Sequence, residues 1–311
     1  MSVRVGLDIG GTKTAALVVN ANGRTLAEVT QPTDVTGPDR LVAGVVATVN
    51  RALNAAGVTG AELTGIGVGI PGQVDPESGT VRLAVNLNLR EPFPLRDALQ
   101  KALGAPVALE NDVRAAAWGA YNWARVTEPL NSLAYLSIGT GIAAGLVLDG
   151  RLYRGRRGMA GEVGHIPIDP AGPRCACGSY GCLEAFAAGP AIAAYAAGVV
   201  PANGEPLDAA RVYELAGAGE PAAARVVARA ASYLARGVYL LVMSYDVDKV
   251  VLGGGVTRAG MAFERPLRDA LAALRADSPL AASMLPEAKV AVVPSDFNAG
   301  VIGAVYLTNP V

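Results

Sequence analysis

The chain contains one short pattern twice, and this duplication is the strongest constraint on its fold. Residues 8–19 read Asp-Ile-Gly-Gly-Thr-Lys-Thr-Ala-Ala-Leu-Val-Val, and residues 137–148 read Ser-Ile-Gly-Thr-Gly-Ile-Ala-Ala-Gly-Leu-Val-Leu. Each copy predicts a strand, a glycine- and threonine-containing turn and a second strand, followed by a hairpin signal, Asn22-Gly23 or Asp149-Gly150. Because 311 residues suffice for two domains with separate cores, we expect an α/β protein with one copy in each half.

The two turns are candidate phosphate-binding elements. Gly10-Gly11-Thr12 and Gly139-Thr140-Gly141 offer unhindered backbone N–H groups that can donate to phosphate oxygens. Each turn alone can be no more than a tight hairpin, but the duplication favours a clamp on one polyphosphate. A Walker A loop is excluded because a strand, not a helix, is predicted after residues 6–11. Pro71 likewise excludes a dinucleotide-binding helix after residues 67–72.

The sole histidine and all three cysteines lie within 18 positions, as His165, Cys175, Cys177 and Cys182. Three thiolates and one imidazole are the ligand set of a closed tetrahedral zinc site, which is structural because no ligand position is open. The alternatives are a chance cluster of buried thiols, or a disulfide with one cysteine left over. The spacing Cys-x-Cys is too tight for an ordinary disulfide, so we predict structural zinc.

Two carboxylates flank these ligands. Glu162 lies three residues before His165, and Glu184 lies two residues after Cys182. A metal that fixes the loop would hold both carboxylates near each other, where they could accept hydrogen bonds from hydroxyl groups such as those of a sugar. The alternative is that both are solvated surface charges.

Polar and glycine residues follow two further predicted strands. Asn111 and Asp112 lie between a strand at residues 106–109 and an alanine-rich helix at residues 113–124. Asp112 could simply cap that helix, but the end of a strand is also where an α/β protein places polar groups at a cleft. Gly254 and Gly255 follow a strand at residues 249–252 and would permit the close approach of a flat ligand.

Taken together, these motifs resemble the ROK family of sugar kinases and sugar-responsive repressors over nearly the entire chain. The diagnostic stretches are Gly-x-x-Gly-Glu-x-Gly-His at residues 158–165 and Cys-x-Cys-Gly-x-x-Gly-Cys-x-Glu at residues 175–184. The resemblance implies a two-domain actin-like, hexokinase-like (ribonuclease H-like) ATPase fold with an interdomain cleft and a structural zinc loop. We expect a smaller domain from residues 1–110 with a returning C-terminal helix at about 298–311, and a larger domain from residues 111–297.

The resemblance also assigns roles to individual residues. It implies that Asp112 is the catalytic base and that the hexose is bound by Asn86, Asn111, Asp112, Glu162, His165 and Glu184. It implies that ATP and Mg²⁺ are bound by Asp8, Gly10, Gly11, Thr12, Lys13, Thr140, Gly141, Gly254 and Gly255. Asn86 could instead be a turn residue, and Asn88 makes the match there ambiguous. Arg114 departs from the small or amide residue of relatives, so we expect it to alter the local charge of the cleft.

The implied reaction is transfer of the γ-phosphoryl group of ATP to the 6-hydroxyl of a hexose, with glucose as the leading candidate. Fructose, mannose, N-acetylmannosamine and N-acetylglucosamine are alternatives, and a sugar-sensing regulator is the alternative of another class. Because the first strand begins near residue 3, a preceding DNA-binding segment is not expected. Separately, Gly141→Val is expected to raise KM for ATP by blocking backbone approach, without affecting sugar binding.

The remaining expectations concern location and partners. A net charge of −1 gives no footprint for nucleic acid or an anionic membrane. Residues 1–8 lack the basic region and apolar core of a signal peptide, so none is expected, and the uncharged runs at residues 129–148 and 185–204 contain too many turn residues for membrane spans. We therefore expect the protein to lie in the cytoplasm, where thiols stay reduced. A homodimer or homotetramer is a separate expectation.

Overall fold

The computed structural model describes residues 2–201 and 206–308. The strands of this part of the chain are β1 (Val3–Ile9), β2 (Lys13–Asn20), β3 (Thr25–Pro32), β4 (Leu63–Ile70), β5 (Gln73–Asp75), β6 (Thr80–Leu83), β7 (Val107–Asn111), β8 (Leu133–Ile138), β9 (Ile142–Leu148), β10 (Arg151–Tyr153), β11 (Lys249–Gly253) and β12 (Val290–Val292). Its α-helices are α1 (Pro38–Ala55), α2 (Leu95–Leu103), α3 (Asp112–Ala124), α4 (Glu184–Ala187), α5 (Gly189–Ala197), α6 (Ala209–Gly217), α7 (Pro221–Tyr245), α8 (Met261–Asp277), α9 (Pro279–Met284) and α10 (Ala299–Tyr306).

The chain divides into two compact units. Unit 1 comprises Met1–Pro129, Leu152–Ala160 and Asn298–Val311, and unit 2 comprises Leu130–Arg151 and Gly161–Phe297. This division departs from the expected boundary after residue 110. The reason is that α3 continues directly from β7 and packs against α10, so both helices belong to unit 1.

The two main sheets have the same topology. In unit 1 the strand order is β3-β2-β1-β4-β7, and the second sheet has the order β10-β9-β8-β11-β12. In each sheet the hairpin strands pair antiparallel, whereas the strands on the other side of the central strand pair parallel. The duplication predicted from the sequence is therefore present in three dimensions. Its hairpin signal is also confirmed, because Asp149 and Gly150 both have positive φ, 52° and 68°.

Helix α10 packs into unit 1, although it lies about 170 residues after the first segment of that unit. It packs against β1, β4 and α3, as the prediction of a returning terminal helix requires. The contacts are backbone to backbone: a Cβ at Gly67 would collide with the carbonyl of Ala304, and one at Gly303 with the carbonyl of Ala115. Glycine at both positions lets the helix approach the sheet and α3 more closely than any side chain would allow.

Unit 2 has its own core, in which α7 is the longest helix. Its buried residues, among them Val227, Leu234 and Leu241, join a cluster with residues of β8, β9 and β11. In the part of the chain that the structure describes, α7 is the one helix long and apolar enough to cross a membrane. Its burial accounts for this composition, because a helix in a protein core must be apolar on its packed faces.

Candidate active site and metal-binding cluster

The junction between β7 and α3 places a polar pair at the end of a strand. Asn111, not Asp112, caps the helix: its Oδ1 accepts from the backbone N–H groups of Val113 and Arg114 at 3.1 and 3.2 Å. The Asn111 Nδ2 donates to Asp112 Oδ1 at 2.9 Å and to the carbonyl of Gly72 at 3.2 Å. The capping role considered for Asp112 thus belongs to its neighbour, which also orients the Asp112 carboxylate.

A second carboxylate, Asp8 at the end of β1, interacts electrostatically with Asp112 in unit 1. The pKa of Asp8 is raised to about 6, first by burial and then by the charge of Asp112, while the charge of Lys13 opposes the rise. Burial also raises the pKa of Asp112, against the hydrogen bond from Val113 N–H and the positive charge of Arg114. Two neighbouring carboxylates that are reluctant to ionise form an environment that favours a cation or a proton donor.

The first glycine turn lies beside the segment that contains Asn86. Within the turn, the Gly10 N–H donates to the carbonyl of Lys13 at 2.9 Å. A Cβ at Gly11 would come within 2.9 Å of the Asn86 carbonyl, so the two backbones are in close contact. Asn86 is exposed, whereas Asn88 has a φ of 55°, a left-handed conformation that asparagine tolerates well. Asn88 therefore has a structural explanation, and Asn86 stays a predicted sugar ligand.

The second glycine turn is bonded to Glu184 inside unit 2. Glu184 begins α4, and its Oε2 accepts from the backbone N–H of Ile142, the residue that follows the turn, at 2.9 Å. A Cβ at Gly141 would lie 2.6 Å from the same oxygen. The Gly189 N–H also donates to the Gly139 carbonyl at 2.8 Å. Glu184 is consequently not a freely solvated charge, and the turn cannot move without it.

A cavity of about 730 Å³ opens next to this turn in unit 2. Of the predicted nucleotide residues, Thr140 and Gly255 line it. Gly254 does not; its φ of 101° and its contact with the backbone of Ile138 show that it shapes the loop instead. Sequence reasoning missed the remaining walls, which come from α5, α6 and the segment after β11 and include Pro190, Ala193, Asp208, Ala209, Tyr213, Glu214, Val256 and Arg258.

The four predicted zinc ligands come together in unit 2. Their ligand atoms all lie within 4.8 Å of one another. The Cys175 Sγ is 3.6 Å from His165 Nδ1, and the Cys177 Sγ is 3.7 Å from the Cys182 Sγ. The separations of these two pairs match the edges of a zinc tetrahedron, about 3.5–3.8 Å for Zn–S bonds of about 2.3 Å. All three cysteines are free, so the residues fit a metal and not the disulfide alternative.

His165 presents its two nitrogens in different directions. Nδ1 points into the sulfur cluster, while Nε2 lies 4.0 Å from Glu162 Oε2, and both side chains are partly exposed. A metal on Nδ1 would place the proton on Nε2 and make this nitrogen a hydrogen-bond donor. The cluster thus leaves one imidazole nitrogen and the Glu162 carboxylate available to a ligand.

Arg114 does not add an uncompensated charge to the site. It is buried and pairs with the fully buried Glu110, with 2.6 Å between Arg114 Nε and Glu110 Oε1. The charge of Arg114 does lower the pKa of Asp112, as a local change of charge would, but the guanidinium is also paired with Glu110, a partner that sequence reasoning did not identify. The one signal in the sequence was that Glu110 and Arg114 are four residues apart, a spacing typical of ion pairs within a helix, although the predicted helix began only after Glu110.

Comparison with known proteins agrees with this architecture. The model of the ROK family matches residues 4–310. The glucokinase of Thermotoga maritima is 33% identical over 277 residues, covering 85% of this chain and 86% of that protein. The N-acetylmannosamine kinase of Yersinia pseudotuberculosis is 32% identical over 265 residues, covering 85% and 87%.

A solved structure extends the match to three dimensions. The ROK family glucokinase from Streptomyces griseus, in complex with glucose and AMPPNP, superimposes with a TM-score of 0.79 at 31% identity, covering 98% of this chain and 99% of that one. The predicted fold is confirmed, with its two duplicated sheets as the halves of the actin-like and hexokinase-like architecture. The chain belongs to the ROK family.

Proposed function

We propose that this protein transfers the γ-phosphoryl group of ATP to the 6-hydroxyl of a hexose, with glucose as the preferred substrate. The observation that carries the proposal is the Asp112 carboxylate, which is half-buried at the junction of β7 and α3 and is oriented by Asn111. A base with a raised pKa is suited to accepting a hydroxyl proton near neutral pH. Support for glucose comes from the glucokinases among the relatives and from the glucose bound to the Streptomyces griseus enzyme.

In the proposed reaction, Asp112 accepts the proton of the 6-hydroxyl as that oxygen attacks the γ-phosphorus in line. The bond from the γ-phosphorus to the bridging oxygen breaks, and ADP leaves with the electron pair. Backbone N–H groups of the two glycine turns would donate to phosphate oxygens, and the cavity beside Thr140 and Gly255 would hold the adenosine. Most of the acceleration would come from positioning and electrostatic stabilisation.

Two metals fit the residues present. Asp8, half-buried and near Asp112, would hold Mg²⁺, which neutralises charge on the phosphates when bound. Zinc would be held by His165, Cys175, Cys177 and Cys182, whose separations suit a tetrahedron. Burial raises the pKa of Cys182 to about 12, so this thiol needs a bound cation to ionise. The zinc would be structural and would fix the orientation of His165.

We further propose that the hexose hydroxyls are bound by Asn86, Asn111, Glu162, His165 and Glu184. The N-acetylmannosamine kinase among the relatives keeps an amino sugar as the second candidate substrate. The glucokinase and the N-acetylmannosamine kinase are about equally similar to this chain, so overall identity does not decide between the two substrates. We place the reaction in the cytoplasm, where the three thiols stay reduced.

The test is an ADP-release assay across glucose, mannose, fructose, N-acetylglucosamine and N-acetylmannosamine, with Asp112→Asn as the matched variant. We expect the highest kcat/KM with glucose. Asp112→Asn should fold normally, bind sugar within several-fold of the parent and lose about 10²- to 10⁴-fold in turnover, because the general base is gone. Sugar binding without ADP release in the parent would indicate a sugar-sensing regulator. Near-parental turnover of Asp112→Asn would remove Asp112 as the base.

A further inference from the structure

Unit 1 contains a fully buried carboxylate that is shared by two arginines. Glu110 Oε1 lies 2.6 Å from Arg114 Nε, and Glu110 Oε2 lies 2.7 Å from Arg154 Nε. The side chain of Glu110 has no exposed surface, that of Arg114 is 5% exposed, and that of Arg154 is 43% exposed. We call Glu110, Arg114 and Arg154 the Glu110 network. It lies next to Asn111 and Asp112 in the sequence, but none of its members has a role in the proposed reaction.

On one side, the Glu110 network continues to the proposed base. Glu110 Oε1 also accepts from the backbone N–H of Asn111 at 2.8 Å. The Asn111 Oδ1 in turn accepts from the backbone N–H of Arg114, and the Asn111 Nδ2 donates to Asp112 Oδ1. An unbroken series of hydrogen bonds therefore runs from the guanidinium of Arg114 to the carboxylate of Asp112, so that a shift of Arg114 would reorient Asp112.

On the other side, the Glu110 network holds the segment 154–158 at both ends. Arg154 bonds to Glu110, and the carbonyl of Gly158 accepts from Arg114 Nη1 at 2.7 Å. Between these anchors the chain turns at Gly155 and again at Gly158, with φ of 69° and 67°. This segment belongs to the stretch of unit 1 that interrupts unit 2, and it leads within a few residues to Glu162.

Stability alone does not account for an arginine at position 114. Its Nη2 is buried and has no hydrogen-bond partner among the residues that the structure describes. A buried donor without a partner is unfavourable, and buried ion pairs of this kind are often no more stable than apolar side chains of similar size. What only the planar guanidinium supplies is a fixed distance between the Glu110 carboxylate and the Gly158 carbonyl.

We propose that Arg114 is a positioning residue, which fixes the direction of the Asp112 carboxylate through Glu110 and Asn111 and ties it to the segment 154–158 through Gly158. The proposal rests on the proposed kinase function, since it takes Asp112 as the base. It assigns no contact with substrate to Arg114. The effect of losing Arg114 should fall on the chemical step, because a misdirected base lowers turnover without removing a ligand contact.

The experiment compares Arg114→Lys and Arg114→Met with the parent, and uses Arg268→Gln as the matched control. Arg268 forms an exposed ion pair with Glu264 in unit 2, so this control also removes one arginine from one ion pair. We expect kcat per sugar-binding site to fall about 100-fold in Arg114→Met and about tenfold in Arg114→Lys, with KM for ATP and sugar within about threefold. A purely structural role would lower the melting temperature but leave kcat per binding site unchanged.

Trypsin cleavage provides a readout that does not depend on activity. Arg156 and Arg157 lie inside the segment that Arg114 holds, and both are exposed. We expect cleavage after these residues to be at least about tenfold faster in both Arg114 variants than in the parent or in Arg268→Gln. Arg114→Lys keeps the charge and nearly the length of the side chain, so it gives an answer even if Arg114→Met does not fold.

The outcomes separate the two proposals. Unchanged kcat per binding site, or unchanged cleavage, in both Arg114 variants would overturn the positioning role while leaving the kinase function intact. A parent that phosphorylates none of the sugars would end the proposed function. In that case faster cleavage would still support the tie between Arg114 and the segment 154–158, and unchanged cleavage would still refute it.

Discussion

At the scale of single residues, the site in unit 1 is built around two carboxylates that burial makes reluctant to ionise. Asp8 and Asp112 raise the free energy of the folded protein whenever both are charged, because each lacks full solvation and each repels the other. Functional groups of this kind are commonly destabilising in the absence of their ligand. The same property makes their contribution measurable as a dependence of stability on pH.

Asp8→Asn is the first test. The folded pKa of Asp8 is about 6, raised from 3.8, so between these values the folded state binds more protons than the unfolded state. Stability is therefore lost as the pH rises from about 4 to 6, and above this window ionised Asp8 costs up to about 3 kcal/mol. We expect Asp8→Asn to melt at a higher temperature than the parent at pH 7.5, and the difference to vanish near pH 4.

The same variant should lose turnover at every pH, because the carboxylate that organises Mg²⁺ is absent. In the parent, turnover should fall as the pH drops below about 6, since protonation neutralises Asp8. The measurements are melting curves and kcat from pH 4 to 8, for parent and variant. A variant less stable than the parent at pH 7.5 would show that Asp8 is held by favourable contacts and would contradict the assignment.

At the scale of elements, helix α4 connects two functions that looked independent in the sequence. Its first residue, Glu184, is a proposed sugar ligand, and one of its oxygens bonds to the backbone N–H that follows the second glycine turn. The expectation that a substitution at Gly141 would affect ATP alone is revised by this geometry. A side chain at Gly141 must displace Glu184, because its Cβ would lie 2.6 Å from Oε2.

Gly141→Ala should therefore weaken sugar binding in the absence of nucleotide as well as raise KM for ATP, each by several-fold to about tenfold. Calorimetry with glucose alone and steady-state kinetics with varied ATP would measure the two effects. Gly139→Ala is the matched control from the same turn, because a Cβ there meets no atom within 4 Å and its φ is not in the left-handed region. Sugar affinity unchanged in Gly141→Ala would show that Glu184 does not bind the sugar through this arrangement.

The effect of the metal-binding cluster on sugar binding can be measured separately from nucleotide binding. Cys177 is exposed, so Cys177→Ala removes a ligand without opening a cavity in the core. We expect zinc content to fall from about one per chain towards zero and sugar affinity to weaken, because the orientation of His165 depends on the metal. Nucleotide binding should change little, since none of the four ligands lines the cavity beside Thr140.

Ser179→Ala is the control for this variant, because it alters the same loop without removing a ligand. Elemental analysis and sugar titration of both variants would measure the effects. Fully active parent protein that carries no zinc would refute the metal assignment, as would unaltered sugar affinity in Cys177→Ala.

At the scale of the whole molecule, the features that could be predicted from the sequence are those with a repeated pattern or with rare residue types, such as histidine and cysteine. The duplicated strands, the αL hairpin at Asp149-Gly150 and the cluster of His165 with the cysteines are all present, since each is specified by local residue choice. The first unit extends to Pro129, beyond the expected boundary at residue 110, because the packing of α3 on α10 joins segments more than 170 residues apart. The cavity walls and the contacts of the Glu110 network with Arg154 and Gly158 were missed because they join segments that are distant along the chain.

The return of α10 to unit 1 also sets an order in which the molecule can be completed during synthesis. Leu17 and Val19 of β2 pack against Val301 and Val305, which are synthesised more than 280 residues later. Until then this side of the first sheet, including the glycine surface at Gly67, has no covering helix. Until residue 305 has been synthesised, the nascent chain thus carries an uncovered apolar face, and such transiently exposed surface is prone to aggregation.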